Sequence, residues 1–197
     1  MRVFLLSKYT SLATLKDRVR DQLKSDFARA SRMHLKRRIL DALDAAHAFS
    51  LPPTMVESEF NAIWKAVEAE LQREGKTAAD EGKTEEELKK EYHDIAERRV
   101  RLGLVLARIG EQNGISLTNE EVQRAIAARA RQFPGQEQQV FNFYANNPRA
   151  QAEVRAPLFE EKVVDFIAEL AEVTEKKVDR ETLFLDPDEA EEKLKSQ

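Results

Sequence analysis

The chain contains no cysteine, only three histidines, six glycines and six prolines among 197 residues. The first absence excludes disulfides, thiolate nucleophiles and cysteine-ligated metals. The shortage of glycine and proline predicts few tight turns and long uninterrupted elements. No apolar run approaches eighteen residues, so no membrane-spanning helix is expected. The opening MRVFLL has an apolar stretch of only four residues and no small-residue cleavage site behind it, so it does not read as a signal peptide. These absences together predict a cytoplasmic protein with no membrane partner.

What is present is charge. Lys, Arg, Asp and Glu make up 35% of the chain and apolar residues 42%, a composition of helices with broad solvated faces. The net charge is −4, and residues 179–197 alone hold seven acids against three bases, so the rest is close to neutral. A near-neutral body has no overall field for a nucleic-acid backbone. Basic clusters at Leu35-Lys-Arg-Arg38 and Arg98-Arg-Val-Arg101 are flanked by Asp41, Asp44, Glu91 and Glu97, without interleaved aromatics. They read as salt-bridged helix faces, and no nucleic-acid partner is expected.

Apolar residues at three-and-four spacing run from Leu12 through Leu15, Val19, Leu23, Phe27, Leu35, Ile39 and Leu43, predicting one long helix, or two joined end to end, as far as about His47. At 1.5 Å per residue this reaches on the order of 50 Å. Pro52 and Pro53 end it. A second helix is expected from about Thr54 to Gly75, carrying Val56, Phe60, Ile63, Trp64, Val67 and Leu71, and a third from about Glu85 to Gln112. Two copies of EGKT lie between them. A phosphate-binding loop needs a glycine five residues before the second one, and those positions hold Glu70 and Thr77. Thr84 with Glu87 instead reads as a capping box, as does Thr118 with Glu121. The latter opens a short helix expected to reach Phe133, where Pro134-Gly135 breaks it. A brief helix over 136–144 and a last one starting at Asn147-Pro148 follow, with Pro157 expected to kink the latter.

The segment QFPGQEQQVFNFYANNP, residues 132–148, holds four aromatics, out of ten Phe, one Trp and three Tyr in the whole chain. A piece so short buries little by itself. Its rings either pack on neighbouring helices or remain open to another chain. Catalytic patterns are missing: the residues three before His34, His47 and His93 are Ser31, Asp44 and Lys90, unlike the Glu-x-x-His pairs of helical di-metal sites. No catalytic residue, metal ligand or cofactor is assigned, and no enzymatic activity is expected.

The run from Glu97 to Phe184, with RVRLGLVLARIG, VFNFY before Asn-Pro and a helix taken to end in VTEKKV, resembles the C-terminal domain of bacterial trigger factor, the ribosome-associated chaperone. LPPTMVESEF upstream extends the likeness, which reaches back to about Leu12. The resemblance implies an all-α fold, elongated and multi-helical, with a long first helix and projecting arms that form a cradle for unfolded or nascent polypeptide, without ATP. It implies client contacts at Phe133, Val140, Phe143 and Tyr144, with Leu106 and Ile109 on an adjoining surface. The family's ribosome-docking and peptidyl-prolyl isomerase domains have no counterpart in these residues, so a truncated or engineered fragment without ribosome contact is expected. Residues 1–10 match nothing in the family and read as a leader, 11–185 as the chaperone domain, and 186–197 as a mobile acidic tail. Self-association through the apolar surface is compatible with this reading. A helical adaptor binding one folded partner is the alternative.

Overall fold

A computed structural model describes residues 11–195. The expected leader, residues 1–10, lies outside them. Eight α-helices and one 3-10 turn account for the secondary structure, with no strand among the described residues. The order is α1 (Leu12–Ala46), α2 (Pro53–Glu74), the 3-10 turn (Ala78–Glu81), α3 (Glu85–Gln112), α4 (Asn119–Ala130), α5 (Glu137–Asn146), α6 (Pro148–Leu170), α7 (Arg180–Phe184) and α8 (Pro187–Lys195).

Most boundaries follow from local chemistry. α1 is a single helix, uninterrupted by glycine or proline over its 35 residues. Pro52 and Pro53 occupy the N-cap and first turn of α2, where a missing N–H costs nothing. The glycines of the two EGKT copies are helix stops: Gly75 (φ 65°) closes α2 and Gly82 (φ 71°) closes the 3-10 turn. Thr84 accepts from the Glu87 amide at 3.2 Å while the Glu87 carboxylate accepts from the Thr84 amide at 2.8 Å, the reciprocal capping the sequence predicts. α6 continues through Pro157.

The chain divides into two compact units, residues up to Leu40 together with Glu172 onward, and Asp41–Ala171. In Asp41–Ala171, α2 packs along α3, and α3 packs in turn against α6. An aromatic seam joins α2 to α3: Phe60 lies 5.6 Å from the His93 ring and Trp64 6.2 Å from Tyr92. The Trp64 Nε1–H donates to Glu68 at 2.8 Å, and Lys89 Nζ sits 5.2 Å above the indole. α6 approaches α3 at Gly110, where a Cβ would lie 2.3 Å from Phe159 Cζ. Only a glycine lets the Phe159 ring rest there. The flanking basic cluster is salt-bridged as expected: Arg98 meets Asp41 at 2.5 Å, and Arg101 meets Asp44 at 2.7 Å.

In the other unit, the carbonyl of Leu183 lies 2.9 Å from His34 Nε2, the Phe27 and Phe184 rings are 5.7 Å apart, and Arg37 pairs with Asp188 at 3.0 Å. Two expectations change here. α6 ends at Leu170, so VTEKKV follows the helix rather than completing it. The stretch expected as a mobile acidic tail contains α8, with Ala190 buried. Its start has a local cause that the search for apolar periodicity passes over. Pro187 stands at the first helical position, the Asp186 carboxylate accepts from the Asp188 amide at 3.1 Å, and Asp188 and Glu189 face the positive end of the helix dipole.

Candidate polypeptide-binding surface

The aromatic segment folds as the turn after α4, then α5, then the start of α6. Gly135 adopts φ 84° in that turn, a conformation that favours glycine, and its amide donates to Glu137 at 2.9 Å. Asn147 begins α6 by accepting from the amides of Arg149 and Ala150 at 3.1 and 3.2 Å. α5 lies between these two stops. Its inner face joins Val122, Ile126, Tyr144, Ala150 and Val154 into one cluster, with Val140, Phe141 and Leu158 packed at its edge.

The six residues expected to touch a client therefore part company. Phe133 and Phe143 are open, at 47% and 57% of their full exposure. Val140 and Ile109 are half-buried. Tyr144 at 8% and Leu106 at 4% are core side chains, which removes them from an open contact surface. On α5, Val140 and Tyr144 stand four apart on the inward face, whereas Phe143 shares its side with Gln136 and Gln139. Phe143 packs edge-on against Tyr144 at 5.3 Å, and the Arg129 guanidinium lies 5.3 Å over the Tyr144 ring. Tyr144 is thus the floor on which the exposed ring sits. Leu106 and Ile109 belong to α3, which packs on α6 and not on α5, so they are not brought into the α5 surface.

One ionic knot fixes α4 relative to α6. Lys162 Nζ donates to the Ser116 carbonyl at 2.8 Å and to Glu121 Oε1 at 2.7 Å, while Glu121 Oε2 accepts from the Thr118 amide at 2.7 Å. The Lys162 hydrogen bond, with those from the Thr118 amide and hydroxyl, pulls the Glu121 carboxyl from its ordinary 4.5 down to about 2. The capping box of α4 is thereby also a tether to α6. Among the described residues no three His, Asp or Glu side chains gather as a metal site, and no helix is long and apolar enough to cross a membrane.

Sequence reasoning missed a second apolar surface. Leu23, Phe27, Ala30 and Met33 of α1, with Arg180 and Phe184, line a groove of about 420 Å³. Its sequence signal is the four-residue spacing of Val19, Leu23 and Phe27 on α1.

An all-α fold whose capped helices hold aromatic rings open defines a helical domain with an exposed apolar face. Among solved structures it resembles domains of trigger factor from Thermotoga maritima, with a TM-score of 0.58 over 71% of this chain and 84% of that one, at 18% identity. Residues 11–169 match the family described as bacterial trigger factor protein C-terminus, and the chain belongs to that family. It is 57% identical over 178 residues to the trigger factor of Parvibaculum lavamentivorans and 56% identical over 179 residues to that of Azorhizobium caulinodans, covering 90% and 91% of this chain. It spans only 35% and 40% of the length of those two relatives.

Proposed function

We propose that this chain is a cytoplasmic chaperone domain that binds unfolded or nascent polypeptide without ATP, through the open surface carried by Phe133 and Phe143 with Val140 at its margin. The observation that carries this reading is the pair of large aromatic side chains left in water, Phe133 in the turn after α4 and Phe143 on α5. Membership in the trigger factor C-terminal family supports it.

Burying one such side chain fully is worth roughly 1.5–3 kcal/mol, and ordering an unfolded client opposes that gain. A single ring is therefore a weak site. Several apolar stretches of one client, engaged in succession, reach micromolar strength, about −8 kcal/mol, through effective concentration. Each contact still dissociates fast, so release needs no nucleotide.

The test is suppression of aggregation of two unrelated denatured proteins by the chain and by its Phe133→Ser/Phe143→Ser variant. The variant should lose most of the protective effect and keep its helical circular dichroism. Equal protection by both would remove these rings from the function. Protection of only one client would favour an adaptor.

A further inference from the structure

The α1 stripe carries an unusual charge environment. Residues 12–33, the span of this face, contain six Lys or Arg and three Asp, a net of +3 in a chain whose total is −4. Leu12, Val19, Leu23, Phe27 and Met33 follow one face of this basic segment and are exposed. Lys16 and Lys24 lie beside them, Arg20 pairs with Asp17, and Arg29 pairs with Asp26 at the groove wall.

The same unit displays the kind of segment that covers such a face. Phe184 sets its ring against Phe27, and Asp188 pairs with Arg37, so the chain from Asp179 onward docks an aromatic residue with carboxylates beyond it. That cover meets α1 at Phe27, His34 and Arg37. From Leu12 to Phe27, about 22 Å at 1.5 Å per residue, the stripe is exposed except at the half-buried Leu15. That length accommodates about seven residues of extended chain.

We propose that this face of α1, from Leu12 to Met33, docks an acidic polypeptide segment in which aromatic or aliphatic residues are flanked by Asp or Glu. Complementary charge steers and orients such a segment, while the apolar stripe and the groove beside Phe184 supply burial. A second α1 is a poor occupant, because its own flanks are basic and would bring like charges together. A lipid surface is disfavoured by Asp26, which stands in the apolar face between Leu23 and Ala30.

Three labelled twelve-residue peptides test this by fluorescence polarisation with the whole chain. One carries Phe and Leu flanked by Asp and Glu, the second the same apolar residues flanked by Lys, and the third the acidic flanks with Ser in place of Phe and Leu. The first should bind about 10-fold more tightly than either other, and added salt should weaken it. Val19→Ser/Leu23→Ser should weaken the first peptide about 10-fold. Lys16→Glu/Lys24→Glu should weaken it about 5-fold and provides an independent reading if the first variant folds poorly. Phe133→Ser/Phe143→Ser should leave the preference for acidic over basic flanks in place, even where it weakens both Phe- and Leu-bearing peptides alike, which separates the α1 face from the α5 surface. Equal or tighter binding of the Lys-flanked peptide would overturn the proposal. So would indifference to both α1 variants, or binding to phosphatidylglycerol vesicles with no preference among the peptides.

Discussion

α1 and α3 are both long helices, of 35 and 28 residues, with apolar side chains at three-and-four spacing. α3 buries Leu88, Ala96, Val100, Leu102, Val105, Leu106 and Gly110, whereas α1 buries Ala30 alone. The difference lies in what packs on them. α2 packs against α3 and α6 closes on it at Gly110, while Leu12, Val19 and Leu23 of the α1 stripe are left in water. An apolar stripe is thus necessary for a core and not sufficient for one. Where nothing covers it, the stripe stays an apolar face in water.

The largest test of this contrast is a matched pair of truncations. Leu88, 1% exposed, should cost about 2–5 kcal/mol on Leu88→Ala. Leu23, 42% exposed, should change stability by less than about 0.5 kcal/mol on Leu23→Ala. Urea denaturation measures both, and similar losses would erase the distinction. Two glycines of α3 sharpen it further. Gly110→Ala must push Phe159 away and should destabilise by about 1–3 kcal/mol. Gly103, whose added Cβ meets nothing within 4 Å, should gain roughly 0.5–1 kcal/mol on Gly103→Ala from the better helix former.

A smaller effect concerns acid. The Glu121 carboxyl titrates at about 2 in the folded chain and near 4.5 without its partners, so its contribution to stability is complete above about 4.5 and is lost as pH falls toward 2. Glu121→Gln should flatten that part of the pH–stability profile measured by thermal melts. An unchanged slope would mean that the Lys162 tether does not hold α4 to α6 in solution. The smallest expected change is in the stability of Phe143→Ser, below about 0.5 kcal/mol, because its ring is already mostly in water. A large loss would make Phe143 a core residue.

Much of the fold was legible beforehand. The bounds of α3, the two capping boxes, the stop at Gly75 and the Asn147-Pro148 start are all found where the sequence reading has them. α7 and α8 were not, since helices of five and nine residues are too short for an apolar period to register. Their caps, Asp179 accepting from the Thr182 amide and Asp186 followed by Pro187, are the local signals that mark them. Which of the candidate side chains stay open was less legible. Val140 and Phe143 stand three apart, a spacing that leaves both near one face of α5, so their different exposure is not set by the sequence period, and the closure of Leu106 depends on helices distant in sequence.

Sequence alone determined where helices start and stop, because a cap is a hydrogen bond between groups three or four residues apart and needs no other part of the molecule. Only tertiary structure decided which apolar side chains are closed, setting Tyr144 and Leu106 inside and leaving Phe133, Phe143, Leu12, Val19 and Leu23 in water. Burial is a property of two surfaces. A stripe states that one of them exists, and only the packed chain shows whether the other has come to meet it.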